Sequence, residues 1–325
     1  MYPLVALLAA SAFAQTQTVP EQTLTETYSV GYVMVPFTVL GPHGVPITDL
    51  KRKEVSLLVD GIPVASDMFE RSQNAPVSFT ILLDTSGSMA LGGKMDAARA
   101  AVHTLLSQRQ PGDDFALYAF DAEGARGVVP FTADAGQIEQ AMRRIQPYGK
   151  TAFFDALATM PERSRLGKNS TRAIILLSDG IDNASKLTRT DIASRLEGVA
   201  IPIYPLGLRE AAEMPKLDPK RPDEQLSDVT LLAEIARLTG GKLYLGNRPE
   251  QLEAAVATLG QNLRAQYLIG FTPTGKGAVK YRHISLRLAG RVRAVRVRAG
   301  YRGTEPPLPA TPGRDQTSSE RKGSR

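Results

Sequence analysis

Asp84, Ser86 and Ser88 stand at alternate positions directly after a mostly apolar run, Val77 to Leu83. A second apolar run, Ala173 to Leu177, ends in Ser178-Asp179-Gly180. Between them lies Gly149-Lys150-Thr151, a loop leading into a helical stretch. If the chain brings Asp84, Ser86, Ser88, Thr151 and Asp179 together, two carboxylates and three hydroxyls form an all-oxygen donor set. Such donors suit a hard divalent cation, Mg2+ foremost with Mn2+ or Ca2+ as alternatives, rather than zinc. Two negative charges balance one divalent ion, which eases the cost of holding the carboxylates together.

Convergence requires the two runs to be neighbouring strands. Both are strand-length and apolar, as in a parallel sheet buried on two faces. Around them, strands and helices alternate. Lys94 to Gln108 is helical, with apolar residues at 95, 98, 102, 105 and 106. Phe115 to Phe120 and Gly127 to Phe131 are strands, and Ala135 to Ile145 is a helix. Thr151 to Met160 is another helix, stopped by Pro161. Then come a helix near 190 to 197, a strand at Ile201 to Leu206, a helix at Leu231 to Leu238, a short strand at Lys242 to Leu245 and a helix at Pro249 to Leu263. This order predicts a doubly wound parallel sheet. Ligands in such sheets bind at the carboxyl ends of strands, near the topological switch point. With the usual strand order, Asp84 and Asp179 flank that point.

Asp84-x-Ser86-x-Ser88, then Thr151, then Asp179-Gly180 resembles the metal-ion-dependent adhesion site of von Willebrand factor type A domains, over roughly residues 76 to 262. The resemblance implies that the two serines and the threonine approach the metal directly. It implies that the aspartates often act through water, and that a sixth position is left for a partner's Asp or Glu carboxylate. Val45-Pro46-Ile47-Thr48-Asp49-Leu50, Val59-Asp60-Gly61, Gln266 to Pro273 and Arg298-Ala299-Gly300-Tyr301 are similar to a secreted family of such proteins common in acidobacteria.

Other readings of the same residues are weaker. A polar turn with Asp84 as a helix cap leaves Thr151 and Asp179 unexplained. An aspartic protease needs Gly where Ser86 stands, and a haloacid-dehalogenase-type phosphatase needs Asp there. Asp121 and Asp182 lie near the same edge and read as loop-solvating residues; Asp155 reads as a helix-surface or capping residue. A metal-dependent hydrolase needs a base or nucleophile beside the metal. The three histidines are His43, His103 and His283, and His103 lies inside a helix. A binding module that captures a protein partner therefore leads over a hydrolase, and over an envelope scaffold with a purely structural metal.

The flanks are β-rich. Tyr32 to Leu40, Val55 to Val59 with the hairpin signal Asp60-Gly61, Tyr267 to Phe271, Ile284 to Leu288 and Val292 to Val297 read as strands. Neither flank has enough strands to close a core alone. The predicted fold is therefore an α/β core, 76–262, inserted into a β-sandwich-like domain built from 25–75 and 265–302.

Residues 1–14 read as a secretory signal, with the apolar run Leu4 to Phe13 and a small-x-small site at Ala12-Phe13-Ala14. The run is too short to span a bilayer. Export to the periplasm or beyond follows, and a chain without cysteine folds there without oxidising machinery. The absence of cysteine also excludes thiol catalysis, disulfide scaffolds and iron–sulfur clusters.

The formal charge of +6 is uneven: Lys280 to Arg302 holds eight Lys or Arg and no acid. Arg291, Arg293, Arg296 and Arg298 read first as a solvated sheet face and second as a weak contact to anionic envelope material. No aromatic interleaving supports nucleic-acid binding. Residues 303–325 read as a disordered tail. Arg209 to Ser227, with three prolines and nine charged residues, reads as a long loop on the edge of the candidate site, suited to partner discrimination.

Overall fold

The computed structural model describes residues 31–72, 75–208, 228–246, 248–289 and 294–308. The expected leader 1–14, the stretch 209–227 expected to be a loop, Arg291 and Arg293 lie outside the described residues. The first flank contributes β1 (Val33–Leu40), β2 (Val55–Val59), β3 (Ile62–Pro63) and β4 (Met68–Arg71). The α/β core follows with β5 (Val77–Asp84), α1 (Lys94–Ser107), β6 (Asp114–Asp121), β7 (Gly124–Thr132), α2 (Ala135–Arg144), α3 (Phe153–Ala158) and α4 (Met160–Ser164). It continues with β8 (Thr171–Ser178), α5 (Arg189–Leu196), β9 (Ile203–Gly207), α6 (Asp228–Thr239), β10 (Tyr244–Leu245) and α7 (Pro249–Arg264). The second flank adds β11 (Tyr267–Phe271), β12 (Lys280–Leu288), β13 (Ala294–Val297) and β14 (Gly300–Gly303).

The core sheet has the order β10-β9-β8-β5-β6-β7. β5 is central, parallel to β8 on one side and β6 on the other, and buried along its whole length. The chain winds outward from β5 through β6, then crosses back to β8 and winds the other way. The switch point therefore lies between β5 and β8. One face of the sheet packs on α1, α2 and α7, the other on α3, α5 and α6.

Two local expectations are corrected. β7 is longer than predicted and runs antiparallel to β6. Only a tight turn, with Gly124 at φ 91°, joins the two, and a parallel pairing needs a long crossover instead. Pro161 does not stop a single helix: α3 ends at Ala158, and Pro161 sits in the first turn of α4. Proline fits there because the first-turn amide has no helical acceptor to lose.

The flanking strands form two antiparallel four-stranded sheets, β13-β1-β11-β4 and β14-β12-β2-β3. Each sheet mixes strands from both ends of the chain. β1 lies between β11 and β13, and β2 pairs with β12. The sheets share one apolar cluster that includes Val35, Phe37, Leu57, Phe271 and Ile284. Asp60 and Gly61, at φ 51° and 80°, make the two-residue turn between β2 and β3. Backbone pairing runs past the expected boundary at 303: Thr274 donates to the Glu305 carbonyl and Ala65 to that of Pro307.

These sheets attach to the core near the amino-terminal side of β9, away from the strand ends that carry Asp84 and Asp179. Ala299 N donates to the Leu238 carbonyl, and Arg302 pairs with Glu197. Arg298 is buried, its guanidinium donating to the carbonyls of Gly198 and Met34, both at 3.0 Å. The envelope contact expected of Arg298 is thus corrected: the side chain is enclosed at an internal junction. Arg296 is half-buried. No helix among the described residues is long and apolar enough to cross a membrane.

Candidate metal centre

β5 and β8 deliver their carboxylates to the same edge. Asp84 is the last residue of β5, and Asp179 follows the last residue of β8; both are buried. Each Asp84 oxygen has a partner. Oδ1 accepts from Ser86 N at 2.9 Å, and Oδ2 accepts from the Ser178 hydroxyl at 2.7 Å. Burial pushes the Asp84 carboxyl up to about 6 against the pull of these bonds, and nearby Asp179 pushes it the same way.

The loop after β5 is pinned on both sides. Thr85 donates through N and Oγ1 to the Phe120 carbonyl, each at 2.9 Å. Tyr148 N donates to the Thr85 carbonyl and Gly87 N to that of Gly149, which ties this loop to the one carrying Thr151. A Cβ at Gly87 would lie 3.3 Å from the Gly149 oxygen, so the approach favours glycine. Buried Met89 anchors the short 3-10 turn that follows, and the Ser86 and Ser88 hydroxyl oxygens stand 3.1 Å apart.

Thr151 is buried and held by the loop after β8. Its N–H donates to Asn183 Oδ1 at 2.8 Å, and its carbonyl accepts from the amides of Asn183 and Ala184. Asp182 accepts from Phe153 N and so caps α3. Asp121 accepts from Glu123 N in its own turn. Asp155 is not a surface residue of its helix alone: it accepts from the amides of Lys186 and Leu187 and fastens their loop. His103 is exposed beside Glu139, and His283 lies in β12, so neither stands at the site.

The donor set fits a small hard cation. The spacing of the two serine oxygens matches the edge of an octahedron with bonds of about 2.1 Å, which is about 3.0 Å. Among the described residues no three His, Cys, Asp or Glu side chains cluster as a metal site, so hydroxyls must complete any coordination here. The five residues named from the sequence stand on three loops that are bonded to one another. Three further residues escaped that reading. Ser178 holds Asp84, Asn183 holds Thr151, and Lys94 Nζ lies 2.6 Å from Asp179 Oδ2. Lys94 had a signal in the sequence: it opens a helix, where the dipole disfavours a cation.

Residues 79–181 match the family model of the von Willebrand factor type A domain, a span that includes all five candidate ligands. An uncharacterised protein of Borreliella burgdorferi is 23% identical over 198 residues, covering 56% of this chain and 58% of that protein. Among solved structures, an aerotolerance-related membrane protein from Bacteroides fragilis is 19% identical, over 57% of this chain and 98% of that one, with a TM-score of 0.45. A von Willebrand factor type A protein from Catenulispora acidiphila is 17% identical, over 85% and 74%, with a TM-score of 0.46. The doubly wound sheet and its switch point between β5 and β8 agree with the family match: residues 79–181 match a von Willebrand factor type A domain, and the candidate site lies within that span.

Proposed function

We propose that this is an exported binding module that captures a protein partner through a divalent cation, Mg2+ foremost, held by Asp84, Ser86, Ser88, Thr151 and Asp179. The observation that carries the reading is the pair of serine hydroxyls 3.1 Å apart, on a loop that follows buried Asp84 and is bonded to the loop carrying Thr151. When bound, the cation supplies an open position to an Asp or Glu carboxylate of the partner. The chain's own residues do the rest. Ser86 N and the Ser178 hydroxyl orient Asp84, Asn183 fixes the Thr151 backbone, and the Phe120 carbonyl holds Thr85. The absence of His103 and His283 from the site supports binding rather than hydrolysis, which needs a base beside the metal.

Calorimetric titration of the full chain with Mg2+, Mn2+ and Ca2+ tests the reading and should show one site. Ser86→Ala with Ser88→Ala should abolish that site while leaving the melting temperature of metal-free protein near that of wild type. A pulldown from envelope extract should lose its partner when EDTA replaces Mg2+. Absence of metal binding at millimolar concentration would overturn the proposal.

A further inference from the structure

We propose that Lys94 is a built-in counter-cation for the metal centre: its ammonium neutralises Asp179 when no divalent ion is bound and must leave when one enters. This rests on the metal-binding reading above and adds how that site is regulated. Asp179 is fully buried, and among the described ion pairs Lys94 is its cationic partner, at 2.6 Å. Among the described residues its other polar contact is a longer bond, Ile181 N to Oδ1 at 3.3 Å. Among the described ion pairs Asp84 has no equivalent cation; an amide and a hydroxyl satisfy it instead. The two acids thus differ: one is tied by neutral donors, the other by a charge that can move.

The position of Lys94 points the same way. It is the first residue of α1, where the helix dipole repels a cation. Two glycines at positive φ, Gly92 at 61° and Gly93 at 72°, turn the chain into the helix at that residue. Its contact with Asp179 accounts for a charge that the helix alone would disfavour. The side chain keeps 19% exposure, and its flexible stem lets the ammonium swing toward water without moving the helix.

Charge arithmetic then forces an exchange. The Asp84–Asp179 pair carries two negative charges when ionised. Lys94 balances one of them and a divalent ion balances both. Holding the ammonium and the ion together would leave a buried net positive charge, with the two cations repelling at short range. Metal entry therefore displaces Lys94, and the wild-type affinity is lowered by that competition.

The test compares wild type with Lys94→Met, which keeps the length and apolar stem of the side chain without its charge. Lys150→Met removes a lysine from the neighbouring Thr151 loop, one with no recorded ion pair to Asp179. Each protein is titrated calorimetrically with MgCl2 and with MnCl2 and melted with and without saturating metal. Lys94→Met should bind at least tenfold more tightly than wild type, and Lys150→Met should change affinity less than threefold. Metal-free Lys94→Met should melt below metal-free wild type, with the gap closing at saturation.

Equal affinities for Lys94→Met and wild type would overturn the inference and leave the metal-binding reading standing. So would a melting deficit of the same size with and without metal, which marks a purely structural ion pair. Equal tightening by Lys150→Met would reduce the effect to general electrostatics and overturn it too. No binding in any variant would overturn both readings.

Discussion

Ser178→Ala is the sharpest test of how the site is built. The Ser178 side chain is fully buried and serves two groups. Its hydroxyl donates to Asp84 Oδ2 at 2.7 Å and accepts from Gly180 N at 3.0 Å. Alanine deletes both bonds. A hydrogen bond to a charged group contributes about 1.5–3 kcal/mol, and an orphaned buried amide costs about 1–3 kcal/mol. The lower ends of these ranges sum to a loss of about 2.5 kcal/mol. For a domain of 150–250 residues that corresponds to a fall of about 5–10 °C in melting temperature. The assay is urea unfolding in EDTA, so that metal binding does not enter. It is followed by circular dichroism because the chain has no tryptophan. Ser88→Ala is the control: Ser88 is half-buried and bonded only to Ser86 among the recorded contacts, so its loss should cost under about 1 kcal/mol. A loss below about 1 kcal/mol for Ser178→Ala, at unchanged urea dependence, would refute the positioning role.

Two further outcomes follow from buried contacts elsewhere. Asp113 accepts from Val77 N, Gln110 N and both ends of the Arg264 guanidinium, fastening the start of β5 to the end of α7. Asp113→Ala strands three donors, one of them charged, and should cost about 3–5 kcal/mol in the same unfolding assay. Deleting residues 265–325 removes both strand neighbours of β1 and the β12 partner of β2. Hydrogen exchange should then show loss of protection across Val33–Leu40 and Val55–Val59, and retained protection there would refute a shared β domain.

The parts of the fold legible in the sequence are those where one physical signal decides. β5 and β8 are mostly apolar because they are central and covered on both faces, so no alternation is needed to find them. α7 is read well from Pro249 at its start and the spacing of its apolar face. β7 is harder, since it is an edge strand with one turn-coupled neighbour and mostly half-buried residues. Pro161 is ambiguous for a different reason: the same residue ends one helix or begins the next, and only the break at Thr159 decides which. Arg298 misleads because a strand pattern shows which residues alternate, not whether another domain covers them.

The candidate site divides along the same line. Asp84, Ser86 and Ser88 are legible because their spacing is local: a strand that ends in a carboxylate continues into a loop whose amide at Ser86 bonds back to it. Thr151 and Asp179 become legible once the sheet topology is assumed, because β8 must then lie beside β5. Ser178 and Lys94 are reached by neither route. Each acts across the switch point, Ser178 from β8 onto Asp84 and Lys94 from α1 onto Asp179, and each contact joins residues far apart in the chain. These two crossings differ in kind. The serine bond is neutral on one side, short and fully enclosed, which suits a fixed support. The lysine contact is a charge on a flexible stem at a partly exposed position, which suits a group that moves. A loop motif can specify donors for a cation, but the charge balance of the site is set by side chains that only the fold brings to it.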